Sequence, residues 1–81
     1  MSEGVIVVDA RGHRCPTPTL RLRRAMEDAG PGRRLVLWAD DPMARIDAPH
    51  LVQGLGGRVI SVEQAESWLE ISVETPASAE D

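Results

Sequence analysis

The residue of this chain best suited to covalent chemistry is Cys15, the only cysteine among 81 residues. Pro16 follows it directly and suits the first position of a helix, where a missing N–H costs no hydrogen bond. We therefore expect Cys15 at the N-cap of a helix, where the positive end of the helix dipole favours a thiolate. A thiolate attacks sulfur and carbon centres, so the pattern predicts a nucleophile or a sulfur carrier.

Positive charge is concentrated around this cysteine. Residues 11–24 contain five arginines and no acidic residue, although the whole chain carries a formal charge of −4. The five are Arg11, Arg14, Arg21, Arg23 and Arg24. We expect them to hold the pKa of the Cys15 thiol below its ordinary value of about 8.5. The alternative, from composition alone, is that Cys15 is a small buried apolar residue without a chemical role.

Other polar residues offer weaker candidates. His13 is either a base or hydrogen-bond partner of Cys15 or, as we prefer, a solvated loop residue. Asp40 and Asp41 form either a carboxylate pair for acid–base work or, as we prefer, a loop that caps a helix or orients Arg45. One cysteine and two histidines do not make a zinc site at recognisable spacing, so we expect no metal and no cofactor.

Composition narrows the class of protein. The chain makes one small domain, and it has neither an apolar span of membrane-crossing length nor the pattern of a signal peptide. A single cysteine cannot form an internal disulfide, so we expect a protein of the reducing cytoplasm. We also expect a monomer. All nine basic residues are arginine, which excludes lysine nucleophiles. The net negative charge and the absence of Phe and Tyr argue against direct nucleic-acid binding.

The elements that must position Cys15 can be predicted on both sides of it. An apolar run from Val5 to Val8 is typical of a strand. A helix is expected from about Pro16 to Ala29, because Pro18, Leu22, Ala25, Met26 and Ala29 fall on one stripe at helical spacing. Leu20 lies off that stripe, either as a partly covered surface residue or as a docking contact near the cysteine. Gly30-Pro31-Gly32 then ends the helix.

The remaining elements complete a small α/β domain. Strands are predicted over 35–39, 58–63 and 68–74, and Leu69, Ile71 and Val73 of the last should point inward. Between the first two of these we predict a second helix, for which two starts compete after residue 40. We prefer Asp47 as its N-cap, with the helix running to about Leu55 and residues 40–46 forming a loop with at most a turn of helix. The order βαβαββ predicts a two-layer α/β sandwich, with both helices on one face of a four-stranded mixed sheet. The domain is expected to span 1–74, followed by a disordered acidic tail over 75–81.

The segment around the cysteine resembles the TusA (SirA-like) family of small sulfur-carrier proteins. The family's Cys-Pro-x-Pro motif stands here as Cys15-Pro16-Thr17-Pro18, with Asp9 and Gly12 at the family's spacing ahead of it. Asp40-Asp41-Pro42 and Asp47-Ala48-Pro49 also match, so the likeness covers about residues 5–74. It implies the same βαβαββ fold, with Cys15 as the reactive residue. It also implies that the loop containing Asp41 and Arg45 lies near the cysteine end.

The resemblance implies a function as well. A cysteine desulfurase or rhodanese-like donor would load Cys15 with a persulfide sulfur, and an acceptor protein's cysteine would then take it. In the family, acceptors serve tRNA thiolation, sulfur oxidation or molybdenum-cofactor assembly, and this sequence does not choose among them. We expect Arg14, Leu20, Arg21 and Arg24 to contact the partner. The rival interpretations are a thiol-based redox or regulatory module and a structural adaptor in which Cys15 is incidental.

Overall fold

The chain alternates strands and helices before ending in a hairpin. The computed structural model describes residues 4–13 and 17–76. Its elements are β1 (Ile6–Asp9), α1 (Thr17–Ala29), β2 (Arg34–Ala39), α2 (Ala44–Gly54), β3 (Arg58–Gln64) and β4 (Leu69–Glu74). The βαβαββ order predicted from the sequence is confirmed.

The four strands form one mixed sheet in the order β1-β2-β4-β3. β1 pairs with β2 in parallel, and the other two pairings are antiparallel. This register places Asp9 beside Trp38 and Ala39 beside Leu69, so the ends of β1 and β2 lie at one end of the sheet. The loops that follow β1 and β2 both leave from that end, which we call the loop end of the sheet.

Both helices pack on one face of the sheet, as the sequence predicted. Leu35 and Leu37 of β2 and Ile71 and Val73 of β4 are fully buried against them. The inward positions predicted for β4 are therefore confirmed, and the alternating residues of β2 and β4 on the other face are not covered by a helix. A single core between the two layers fixes α1 on the sheet. The first residue of α1 therefore lies at the loop end of the sheet.

Helix α1 is amphipathic because its apolar residues recur at helical spacing. Pro18, Leu22 and Met26 are buried, and two alanines of the same stripe are partly buried. A proline in the first turn costs no internal hydrogen bond, so Pro18 fixes that turn to the core through its ring. Leu20 points outward with 57% of its surface exposed. The predicted stripe and the outward position of Leu20 are both confirmed.

The predicted start of α2 is wrong by about a turn. The helix begins at Ala44, and Met43 rather than Asp47 is its N-cap. Ala44, Ala48 and Val52 are fully buried at spacings of four residues, so the burial of Ala44 draws the preceding turn into the helix. Pro49 consequently lies inside the helix, in its second turn, instead of near its start.

The ordered chain continues past the predicted boundary at residue 74. Thr75 is only 4% exposed, and its hydroxyl donates to the Gly30 carbonyl at 2.7 Å and accepts the Arg33 N–H at 2.7 Å. Thr75 N–H also donates to the Arg33 carbonyl at 2.8 Å. Thr75 therefore fastens the end of β4 to the turn before β2, so residue 75 lies within the folded domain.

Neither helix in the described part of the chain is long and apolar enough to span a bilayer.

Candidate functional site

The residues predicted to form the site fall into two groups. Arg14, Cys15 and Pro16 lie outside the residues that the structure describes, so their predicted roles remain predictions. The described residues include both flanks of this segment, the loop 10–13 before it and helix α1 after it. The other predicted site residues are Asp9, Gly12, Pro18, Leu20, Arg21, Arg24, Asp41 and Arg45.

Loop 10–13 leaves β1 in a fixed conformation. Ala10 is buried, and its N–H donates to the Trp38 carbonyl at 2.8 Å, which extends the β1–β2 pairing by one residue. Gly12 has φ +87°, a left-handed conformation that glycine adopts without strain. This conformation lets the Gly12 N–H donate to both carboxylate oxygens of Asp40, at 3.0 and 2.9 Å. Loop 10–13 is thus tied to the end of β2.

The guanidinium group of Arg11 contacts one carboxylate and two indole rings. Its Nε and Nη2 atoms donate to the two carboxylate oxygens of Asp9, each at 2.9 Å. Its Cζ atom lies 4.8 Å from the ring centroids of both Trp38 and Trp68. The two indole rings are 6.2 Å apart and tilted by 43°. Cation–π attraction and a bidentate ion pair therefore hold the same side chain.

This arrangement changes the predicted role of Arg11. The sequence places it among five arginines that favour a thiolate, whereas the structure gives its charge a carboxylate partner. The hydrogen bond from its side chain, followed by that from its backbone N–H, lowers the pKa of Asp9 to about 2. Asp9 therefore remains ionised and paired with Arg11 at neutral pH.

The loop after β2 has two aspartates with different partners. Asp40 binds the Gly12 N–H, and Asp41 Oδ1 accepts the Met43 N–H at 3.0 Å at the start of α2. Asp41 thus stabilises the turn that leads into α2, whose N-cap is Met43, so it matches only in part the helix-capping role that the sequence favoured for this loop. Arg45 is exposed and belongs to none of the ion pairs found among the described residues. It lines a separate cleft with Asp40 and Trp68.

Four of the predicted partner-binding and support residues share one groove. It runs between β1 and α1, has a volume of about 550 Å³, and is lined by Asp9, Leu20, Arg21 and Arg24 among others. One end of the groove is bounded by Asp9 and Thr17, which flank loop 10–13 and the segment 14–16. Thr17 is also the first residue of α1, and the dipole of a helix favours negative charge at this end.

Sequence reasoning missed the contribution of three residues to this site. The sequence assigned Trp38 and Trp68 no role in the site, and it placed Asp40 in a loop that caps a helix or orients Arg45. A parallel pairing of the first two strands would have revealed these contacts. It places the residues that follow Asp9 beside the residues that follow Trp38. No group of three metal-binding side chains occurs within residues 4–13 and 17–76.

Comparison with known proteins identifies the family. The family model described as Sulfurtransferase TusA matches residues 6–75, most of the chain. The chain belongs to the TusA family. TusA proteins include the Sulfur carrier protein TusA of Pseudomonas aeruginosa, which is 38% identical over 64 residues, covering 78% of this chain and 81% of its own. In general terms, the chain is therefore a sulfur carrier. A sulfur carrier exchanges sulfur with partner proteins.

Two further relatives extend this comparison. A relative from Archaeoglobus fulgidus is 42% identical over 59 residues, covering 73% of this chain and 77% of that protein. The crystal structure of a SirA-like protein from Desulfitobacterium hafniense superimposes with a TM-score of 0.79. It covers 89% of this chain and 99% of the SirA-like chain at 23% identity, and so shows that the two share a fold. The predicted family and fold are both confirmed.

Proposed function

We propose that Cys15 accepts a sulfur atom as a persulfide and passes it to the cysteine of an acceptor protein. The observation that carries this proposal is the family match over residues 6–75, which spans the only cysteine of the chain. The geometry of the flanks supports it, because loop 10–13 is fixed by Asp40 and α1 begins at Thr17. A nucleophile between a fixed loop and a helix N-terminus is oriented and favoured as an anion.

The transfer needs only thiol chemistry. The thiolate of Cys15 attacks the terminal sulfur of the donor's persulfide, forming a new S–S bond while the donor's own S–S bond breaks. The donor cysteine leaves as a thiolate, and the terminal sulfur, with its proton or charge, stays on Cys15. An acceptor thiolate repeats the same attack and releases Cys15 as a thiolate. Each step exchanges one S–S bond for another, so no oxidant or reductant is consumed.

The partners follow from this chemistry. We infer a donor of the cysteine desulfurase or rhodanese type and an acceptor with its own reactive cysteine in a sulfur relay. Candidate pathways are tRNA thiolation, sulfur oxidation and molybdenum-cofactor assembly. A monomeric carrier in a reducing cytoplasm fits the single cysteine, since an oxidising compartment would favour disulfides over persulfide relay. The protein itself is expected to contact other proteins and not nucleic acid.

Mass spectrometry of the intact protein tests the proposal. The chain is incubated with a cysteine desulfurase and L-cysteine, and we expect a gain of one sulfur atom that a reductant reverses. The matched control is Cys15→Ser, which should melt like the parent and gain no sulfur. Loading of Cys15→Ser would exclude Cys15 as the carrier. A disulfide adduct in place of added sulfur would favour a redox or regulatory module, and no change in mass would favour a structural adaptor.

A further inference from the structure

Strand β1 lies at the edge of the sheet with half of its backbone groups directed outward. It pairs only with β2 among the described strands. In a parallel pair, alternate residues direct both N–H and C=O toward the neighbour. Because Ala10 N–H donates to the Trp38 carbonyl, the even-numbered residues face β2, and Val7 and Asp9 direct their backbone groups away from it. This edge can therefore pair with another extended chain.

The side chains beside this edge are unusual for an edge that stays uncovered. Natural edge strands are protected by very short length, charged side chains, proline, a bulge or a covering segment. β1 is short, at four residues, but its one charged side chain, Asp9, is paired with Arg11. β1 has the sequence Ile-Val-Val-Asp, and Val7 is 49% exposed. Leu20 of α1 is 57% exposed on the adjoining groove wall. Apolar surface and free backbone groups thus occur together along one strand.

The groove beside β1 is also positively charged. Arg21 and Arg24 are exposed, line the groove, and belong to none of the ion pairs found among the described residues. Asp9, at one end, is neutralised by Arg11. Asp28 is the one other acidic residue of the lining. An occupant with carboxylates along its length would match this charge.

We propose that an extended, acidic segment of a sulfur-exchange partner adds as a fifth strand to the free edge of β1. Its backbone pairs with Val7 and Asp9, while side chains on its helix-facing side contact Leu20 and place carboxylates on Arg21 and Arg24. Strand addition obtains affinity from main-chain hydrogen bonds and specificity from alternate side chains. The groove ends beside Asp9 and Thr17, which flank the segment of Cys15. The proposal rests on the proposed sulfur-carrier function for its choice of partner.

A second copy of this chain fits the edge less well. Two β1 strands paired about a two-fold axis would bring the α1 helices of the two copies side by side. Arg21 and Arg24 of one copy would then face the same arginines of the other, and like charges in proximity are unfavourable. Charge therefore favours an acidic partner over self-association at this edge.

A tethered peptide tests the proposal without the natural partner. The probe is an acetylated peptide of alternating Glu and Val, followed by two Gly and a Cys, in disulfide exchange with Cys15. The effective concentration of the tether makes weak binding measurable against competing 2-mercaptoethanol. We expect the Glu peptide to resist release about tenfold better than the same peptide with Lys for Glu. The better retention of the Glu peptide should fall in the double variant Arg21→Ala/Arg24→Ala. It should persist in Arg23→Ala, because Arg23 pairs with Glu27 outside the groove.

Amide hydrogen exchange locates the peptide. The Val7 and Asp9 amides should exchange more slowly in its presence, whereas that of Val8, which already faces β2, should change little. The free peptide at millimolar concentration gives the same readout where no disulfide forms. Equal retention of the Glu and Lys peptides, unchanged exchange at Val7 and Asp9, or protection of β3 instead would overturn the proposal. Slowed exchange without peptide, together with a doubled mass in sedimentation, would show a second copy and overturn it too.

These readouts are independent of sulfur transfer. Persulfide loading of Cys15 without peptide protection of β1 would remove the strand-addition proposal and leave the carrier function standing. Protection of β1 by the peptide without persulfide loading would leave a peptide-binding edge and remove the carrier chemistry.

Discussion

Asp40 and Gly12 are separated by 28 positions in the chain, yet both carboxylate oxygens of Asp40 accept the Gly12 N–H, at 3.0 and 2.9 Å. This bond joins the loop after β2 to the loop that leads to Cys15. The positive φ of Gly12 directs its N–H toward the carboxylate. The loop after β2 thus supports the site, although none of its residues belongs to the Cys-Pro-x-Pro motif.

Removing the hydrogen bond between Gly12 and Asp40 should loosen loop 10–13 and lower the stability of the fold only slightly. We expect Asp40→Ala to lower the free energy of unfolding by about 1 kcal/mol, as for the loss of a typical hydrogen bond. The free energy of unfolding of Asp40→Asn should lie between those of Asp40→Ala and the parent. Gly12→Ala should cost about 1–2 kcal/mol because of its left-handed conformation, since no atom lies within 4 Å of the added Cβ. Urea unfolding measures both. Asp47→Ala is the control, and equal stability of Asp40→Ala and the parent would contradict the anchoring role.

Arg11 should not be replaceable by lysine. A guanidinium group binds a carboxylate through two hydrogen bonds while its faces stack on aromatic rings, and an ammonium group does neither in the same way. Arg11→Ala should therefore lower the urea midpoint, and Arg11→Lys should recover only part of the loss. Arg23→Ala, which breaks an exposed helix pair, should move the midpoint less. Full rescue by lysine would mean that charge alone holds this position.

The Asp9–Arg11 pair predicts a specific dependence of stability on pH. The folded-state pKa of Asp9 is lowered to about 2, below its ordinary 3.8, so its ionised form stabilises the fold. That contribution is fully present above about pH 4 and is lost as pH falls toward about 2. The difference in unfolding free energy between the parent and Asp9→Asn should therefore shrink across this window. A difference that stays constant down to the acid limit would show that Asp9 acts through its shape and not its charge.

Arg21 and Arg24 should affect encounter with partners more than stability. Both are exposed and lie off the buried stripe of α1, and exposed ion pairs contribute only about 0–1 kcal/mol. Arg21→Ala/Arg24→Ala should slow desulfurase loading of Cys15 at low salt while the melting curve stays nearly unchanged. Added salt should reduce the gap, because it screens attraction to an acidic surface. Unchanged loading rates, or a loss of stability that explains slower loading, would make these arginines an ordinary solvated face.

Periodicity was sufficient to predict most of the fold. The stripe of α1 and the alternation of β4 are physical consequences of burying one side of an element, so the sequence contains them directly. The start of α2 was not predicted because Ala44 is a weak apolar signal and its burial depends on packing against the rest of the core. The fold of Thr75 onto Arg33 likewise depends on the sheet order, which sequence patterning does not state.

The site was predictable in part for the same reason. Asp9, Gly12 and Pro18 could be singled out because they match the motif of the TusA family around Cys15, which is local in the sequence. The partners of Arg11 could not, since Trp38 and Trp68 reach it only after β1, β2 and β4 align side by side. Asp40 was noticed but given a different partner, because two adjacent carboxylates at a loop do not reveal which distant N–H each one meets.

The two indoles around Arg11 give this chain an optical property that few small domains have. The sequence contains no tyrosine and no other tryptophan, so absorbance and fluorescence near 280 nm arise wholly from Trp38 and Trp68. Both rings contact the guanidinium group in the loop that leads to Cys15. Their 6.2 Å separation also couples their transitions in far-ultraviolet circular dichroism. We therefore expect the fluorescence of the unlabelled protein to respond to loading or docking beside loop 10–13, in real time and without a probe.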